Sequence, residues 1–155
     1  MRRPATYLQT FEYSPAYRAF AFPLSPGKTW RAAATATDPR NGRRFPVRIE
    51  GTVLGWERVK VPAGEFDALK VHRTVYLDYF ELTVRGQSII QEDEWYAPSV
   101  KWVVKREASA MYLSYLGGTS GNGGFVPVRD RSDGGSAKYV RDDWLVYELA
   151  RFTVR

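Results

Sequence analysis

The 155-residue chain has no cysteine, and its one histidine is His72. The first absence excludes a disulfide framework, a thiolate zinc site, an iron–sulfur cluster and a thiol nucleophile. The second excludes multi-histidine metal centres, and a nucleophilic triad would have to be built on His72 alone. Long apolar runs are also missing: nothing approaches the roughly 20 residues that cross a bilayer as a helix. No segment carries a sustained helical period, and no internal repeat or domain boundary is evident. Acidic residues are outnumbered, 17 against 23 basic, for a net charge of +6. That excess suits an anionic partner, but an ordinary solvated surface is the favoured explanation.

What the chain does have is β-forming sequence. Aromatics make up 15% of the residues and hydrophobic residues 44%, and at this length one domain buries about two thirds of its extended-chain surface without a metal or disulfide. Thr6 to Tyr13 alternates as a first strand, ended by Ser14-Pro15. Pro26-Gly27 turns the chain into a second, where Trp30, Ala32, Ala34 and Ala36 share a face. The alanines leave space there for aromatics from elsewhere or for a ligand. Asp38-Pro39-Arg40-Asn41-Gly42 is a hairpin turn. From Val47 to Val61 the odd positions are apolar or glycine except Glu57, which predicts one core face along the whole strand, bent at Gly51 and Gly55. A returning strand runs through Leu69, Val71, Val75 and Leu77. A turn is expected at Arg85-Gly86-Gln87, a strand through Ile89 to Ala97-Pro98, another over Val100 to Tyr115, and a closing strand from Tyr139. The Gly-rich stretch at about 117–138 reads as a flexible loop. Pro15 to Phe22 is the best place for a helix. The expected fold is therefore all-β: a single domain over 1–155, a curved antiparallel sheet or open half-barrel of about seven to nine strands, with at most one or two short helices.

Catalytic chemistry is hard to place on this sequence. His72 falls on the polar face of its strand. Gln91-Glu92-Asp93-Glu94 is the densest carboxylate group, with Glu92 and Glu94 on one face. It can pair with Lys101, Lys105 or Arg73, or it can share a proton or hold calcium, and pairing is favoured. Gly117 to Gly124 lacks the lysine and following helix of a phosphate-binding loop. Arg40, Arg43, Arg44 and Arg48 surround the first hairpin, but no nucleic-acid-binding aromatic motif accompanies them, and nucleic acid is not an expected partner. No catalytic residue, metal or cofactor is assigned, and an enzyme is not expected. The tryptophans invite a different reading, because Trp30, Trp56, Trp95, Trp102 and Trp144, with Tyr76, Tyr79, Tyr96 and Tyr112, exceed what one core needs, and some can line a groove for an acyl chain or an apolar peptide. Trp30, Ala34, Trp56, Trp95 and Trp102 are candidate ligand-binding residues. Trp56 and Leu54 stand on an otherwise polar strand face.

Two motifs carry a resemblance. Val61-Pro62-Ala63-Gly64-Glu65-Phe66-Asp67-Ala68-Leu69-Lys70-Val71, answered by Trp95-Tyr96-Ala97-Pro98-Ser99-Val100, resembles the signature of uncharacterised bacterial envelope β-domains related to the lipoprotein-localisation-factor-like fold. The chain departs from that pattern at Ser99 and Lys101, where glycines are common. The resemblance implies an open antiparallel sheet curled around an apolar groove. It also implies a non-enzymatic binding or carrier-like role for a lipid or apolar small molecule, and a periplasmic or envelope-associated place if a leader has been removed. The alternative is a structural or protein-interaction module that offers a sheet edge or the Gly-rich loop to a partner protein.

Overall fold

The computed structural model describes residues 11–78, 85–114 and 138–152. The expected strand residues 6–10 and nearly all of the Gly-rich stretch at 117–138 lie outside the described residues. Among the described residues there are seven strands: β1 (Glu12–Ser14), β2 (Thr29–Thr37), β3 (Arg44–Val61), β4 (Gly64–Leu77), β5 (Arg85–Ala97), β6 (Trp102–Ser114) and β7 (Lys138–Glu148). All pair antiparallel, each with its sequence neighbours, in one sheet of order β1 to β7. The sheet is an open meander with β1 and β7 as its edges, the all-β architecture that the alternating sequence predicts.

Register shows how the two faces are used, because residues directly opposite each other in an antiparallel pair point the same way. Ala32, Ile49, Val75, Ile90 and Ala110 form one cross-strand row, and Trp30, Gly51, Arg73, Glu92 and Ala108 the next. Both lie on what we term the inner face. Phe11, Phe45, Val47 and Leu77 join the first row in a buried cluster, with Tyr13 and Tyr17 packed against it. These aromatics lie beside the alanine stripe of β2 and fill the space that its small side chains leave.

The apolar alternation of β3 does not serve one face throughout. Val53 lies opposite Val71 but Gly55 lies opposite Lys70, so β3 carries one extra residue, Leu54, at a bulge. Beyond it the odd positions share the face of Phe66, Ala68 and Lys70, which is the outer one. Val59, Val61, Phe66 and Ala68 accordingly form a second core with Trp95, Ala97 and Val104. The sheet bends around this core: Ala63 N, at the tip of the β3–β4 hairpin, donates to Leu149 O at 3.0 Å, and Leu149 N donates to Val104 O at 2.8 Å. Gly55 sits at φ +154°, where a side chain is strained, and so marks the bulge. Gly51 makes no bend. The Trp30 indole lies against it, and a Cβ there would be 2.2 Å from a ring carbon.

Among the described residues there is no helix. Pro15 to Phe22 instead runs as an irregular strap across the inner face, and Phe20, Ala21 and Leu24 cover Trp30, Val53, Leu69 and Val71. Two of its carbonyls, which a helix would use internally, accept from the sheet: Arg18 O from Trp30 Nε1 at 3.4 Å and Ala19 O from Arg73 Nη1 at 3.0 Å. Arg85-Gly86-Gln87 is not a turn either. It opens β5 with a register irregularity, and residues 79–84, between β4 and β5, lie outside the described residues. The two motif segments, 61–71 and 95–100, meet at one end of the sheet, where Val61, Phe66, Ala68, Trp95, Ala97 and Val100 pack in the outer core. Their residue types are accounted for by packing and turn geometry.

Candidate functional site

Two carboxylates, Glu92 and Glu94, and the Arg73 guanidinium are buried on the inner face, under the strap, with the half-buried Arg106 beside them. Arg73 belongs to the inward series of β4, between Val71 and Val75, and is opposite Glu92 on β5. It donates to Glu92 Oε2 from Nε at 3.0 Å and from Nη2 at 2.8 Å, and to Glu94 Oε2 from Nη1 at 3.0 Å. Arg106 of β6 adds a short contact from Nη2 to Glu92 Oε1 and lies 3.2 Å from Glu94 Oε1 through Nε. Arg73 and Glu92 side chains are each 1% exposed. The charges balance and every carboxylate oxygen of Glu92 and Glu94 has a guanidinium nitrogen within ion-pair range, which is what burial of ions at this depth requires. The face shared by Glu92 and Glu94 is legible from sequence, and Arg73 is among the pairing partners that sequence suggests. Lys101 and Lys105 do not take part, and the role of Arg106 is missed because its position is set by β6 register. Among the described residues no group of three or more acidic or histidine side chains is arranged to hold a metal.

Burial alone would push Glu92 toward its neutral form, but Arg73 and Arg106 outweigh it and hold the carboxyl below its ordinary value. The same carboxylates hold Arg73 firmly charged against the cost of burial. Burial, reinforced by Glu92, raises the phenols of Tyr13 and Tyr17 well above the usual tyrosine value and keeps them neutral. Tyr17 Oη donates to Glu92 Oε2 at 3.4 Å, which ties the strap to the cluster. A carboxyl with a depressed folded value contributes stability that is present above its unfolded value and is lost as pH falls through the folded one. The urea midpoint should therefore hold steady from neutral pH to about 5 and drop below about 4. Glu92→Gln should flatten that acid limb, and an unchanged limb in the variant would assign it to other carboxyls.

Next to this cluster the inner face opens into a groove of about 740 Å³. Its lining includes Ala19, Phe20 and Phe22 of the strap and Tyr96, Val103 and Tyr147 of β5 to β7. Glu94 and Arg106 lie at its floor, and Lys101 and Trp102 also line it. The aromatic wall is continuous: Phe20 and Tyr96 rings are 5.9 Å apart, Phe22 and Tyr96 5.3 Å, and Phe20 and Phe22 5.7 Å. Arg73 lies 5.3 Å from the Phe20 ring centroid and so links the ionic cluster to the wall. Phe22, Trp102 and Tyr147 are left 59%, 67% and 47% exposed.

The structure disperses the five candidate tryptophan and alanine positions. Trp102 lines the groove. Trp56 is exposed and lies on the inner face, in the cross-strand row of Leu69, Tyr96 and Val103. Its place on a polar-looking face follows from the bulge at Leu54. Trp30 and Ala34 are buried beneath the strap and first core. Trp95 is buried on the outer face between Lys70 and Lys105, whose ammonium groups stand 4.8 and 4.9 Å from its ring, and its Nε1 donates to Glu57 at 2.6 Å. Tyr96 is among the aromatics that the sequence offers for a groove, whereas Phe20, Phe22 and Tyr147 are not singled out by sequence as ligand-binding. The aromatic pair Phe20 and Phe22 inside a stretch without strand alternation was the available signal.

His72 lies on the outer face. Its Nδ1 is 2.6 Å from Asp93 Oδ1, and Lys70 Nζ is 3.5 Å from the other Asp93 oxygen. Thr74 Oγ1 is 3.5 Å from His72 Nε2, at the limit of a hydrogen bond. These groups form a surface charge cluster on the face opposite the groove. Among the described residues no helix is long and apolar enough to cross a membrane. Comparison of the chain with protein-family models, with curated proteins and with solved structures returns no match.

Proposed function

We propose that this protein is a non-enzymatic binding or carrier-like domain that holds an apolar or amphipathic small molecule in the groove between the strap and strands β5 to β7. The observation that carries the reading is the groove itself. Its volume, about 740 Å³, falls within the span typical of small-molecule sites, and its lining combines five aromatic side chains with five charged ones, a surface suited to an amphipathic ligand. Large rings left open to water at Phe22, Trp102 and Tyr147 have an unmet driving force for burial against a ligand. The ionic cluster supplies rigidity beneath the groove, since Arg73 holds both the strap carbonyl of Ala19 and the Phe20 ring. A place in the bacterial envelope is part of the proposal and rests on the resemblance of the two motifs.

The test is native mass spectrometry of protein purified without detergent, followed by denaturing extraction of whatever co-purifies and titration with an environment-sensitive acyl probe. A stoichiometric bound amphiphile, or saturable probe uptake weakened about tenfold by Phe22→Ala with Tyr147→Ala, is the expected result. An empty protein that takes up no probe overturns the reading.

A second reading, strand addition at the β7 edge, is favoured by one observation: Val146 and Tyr147 leave apolar side chains 46% and 47% exposed on the two faces of an edge strand. It predicts a partner-bound or self-associated species in light scattering, lost on Val146→Lys.

A further inference from the structure

Hydrogen-bonding capacity in the groove is unevenly committed. Glu94, the carboxylate at its floor, is fully engaged, since it accepts from Arg73 and pairs with Arg73 and Arg106. Arg106 is not. Its Nε is buried and lacks a hydrogen bond, because the Glu94 oxygen 3.2 Å away is within ion-pair range but out of line with the N–H. Lys101 is exposed and has no ion-pair partner among the described residues. Lys105 is paired with Glu107 at 2.8 Å, and register turns both Lys105 and Glu148 toward the outer face, with Trp95. The Trp102 indole offers a donor and no acceptor. Of the charged residues that line the groove, three are cations, Lys101, Lys105 and Arg106, and two are carboxylates, Glu94 and Glu148, so the balance offered to a ligand is cationic.

The backbone at Lys101 is a separate observation. It is the one non-glycine residue with positive φ among the described residues, at +53° in the turn after β5. Glycine takes this conformation without penalty, whereas a residue with a Cβ bears a cost of roughly 1–2 kcal/mol. A strained position retained with a cation at the edge of an aromatic groove is the pattern expected where the side chain has work to do.

We infer that the groove receives a single-chain amphiphile with an anionic oxyacid head, carboxylate or phosphate, which Lys101 engages at the rim and the Arg106 guanidinium attracts from the floor. The apolar chain lies along Phe20, Phe22, Tyr96 and Tyr147. This inference rests on the groove-binding reading and adds the class of ligand.

Binding of four probes of equal chain length separates the possibilities: dodecanoate, dodecyl phosphate, dodecanol and dodecyltrimethylammonium, each below its micellar concentration and titrated against intrinsic tryptophan fluorescence. The anions are expected to bind at least about fivefold more tightly than dodecanol, and the cation more weakly. The carboxylate and phosphate arms tell the two head groups apart. Lys101→Gly, which suits the positive φ and keeps the turn, should remove most of the anion preference, read as the ratio of anion to dodecanol affinity within the same variant. Lys101→Glu should reverse the preference toward the ammonium probe. Equal binding of anion and alcohol, or an anion preference that survives Lys101→Gly, overturns the inference and leaves the groove reading standing. Failure of every probe to bind overturns both.

Discussion

Arg73→Ala is expected to destabilise the protein by about 3–5 kcal/mol, the usual cost of removing one partner from a buried ion pair. The reason is geometric. Arg73 makes three hydrogen bonds to Glu92 and Glu94 and one to the strap at Ala19 O, all in a region where the Glu92 side chain is 1% exposed. Its loss leaves two buried carboxylates with one guanidinium, Arg106, between them, and opens a void beneath Phe20. Against a total stability of about 5–15 kcal/mol for a typical domain, this is a large fraction. Urea unfolding followed by far-UV circular dichroism measures it. The informative companion is Arg73→Met with Glu92→Met, which removes one cation and one anion together and leaves Glu94 paired with Arg106. Replacing a buried pair by apolar residues of similar volume is often neutral, so the double variant should recover most of the loss. A single variant within about 0.5 kcal/mol of the wild type would show that the cluster is solvated in solution.

Gly51→Ala should cost about 3 kcal/mol, at the upper end for overpacking, although it adds a single methyl group. The new Cβ would fall 2.2, 2.3 and 2.6 Å from three atoms of the Trp30 indole, far inside van der Waals contact. The ring has little freedom to move away. Its Nε1 donates to Arg18 O, and Phe20, Ala21 and Leu24 of the strap pack over it. Relief must come from lifting the strap, which would also disturb the Phe20 wall of the groove. Thermal unfolding should show the loss, and Trp30→Leu in the same background should restore part of it. That coupling is what distinguishes a clash from a simple change in β-propensity.

The strand alternation of β2 to β6 is readable in the sequence because a half-buried antiparallel strand forces a period of two on its side chains. The β2–β3 turn at Asp38 to Gly42 and the β3–β4 turn at Pro62-Ala63 are readable for the same local reason, since proline and glycine restrict or widen φ on their own. The groove was less legible. Phe20 and Phe22 lie in a strap without any period, and Tyr147 in a strand whose edge position depends on sheet order. Trp95 and Trp102 illustrate the limit: they look alike in sequence as aromatics at a strand end, yet one is sealed between two lysines and the other is 67% exposed.

By itself the sequence determined the all-β class, the strand sequence from β2 to β7, and the exclusion of thiolate and multi-histidine chemistry, because these follow from residue type and local periodicity. The tertiary structure alone decided which face each stretch serves. One extra residue at Leu54 inverts the facing of half of β3, and alternation is unchanged by that inversion, so no periodicity records it. The partnership of Arg73 with Glu92, Glu94 and Arg106, and the meeting of Phe20, Tyr96 and Tyr147 around one groove, likewise depend on the register between paired strands and on where the strap crosses them. Register is a property of paired backbones, and a single strand's residues do not encode it.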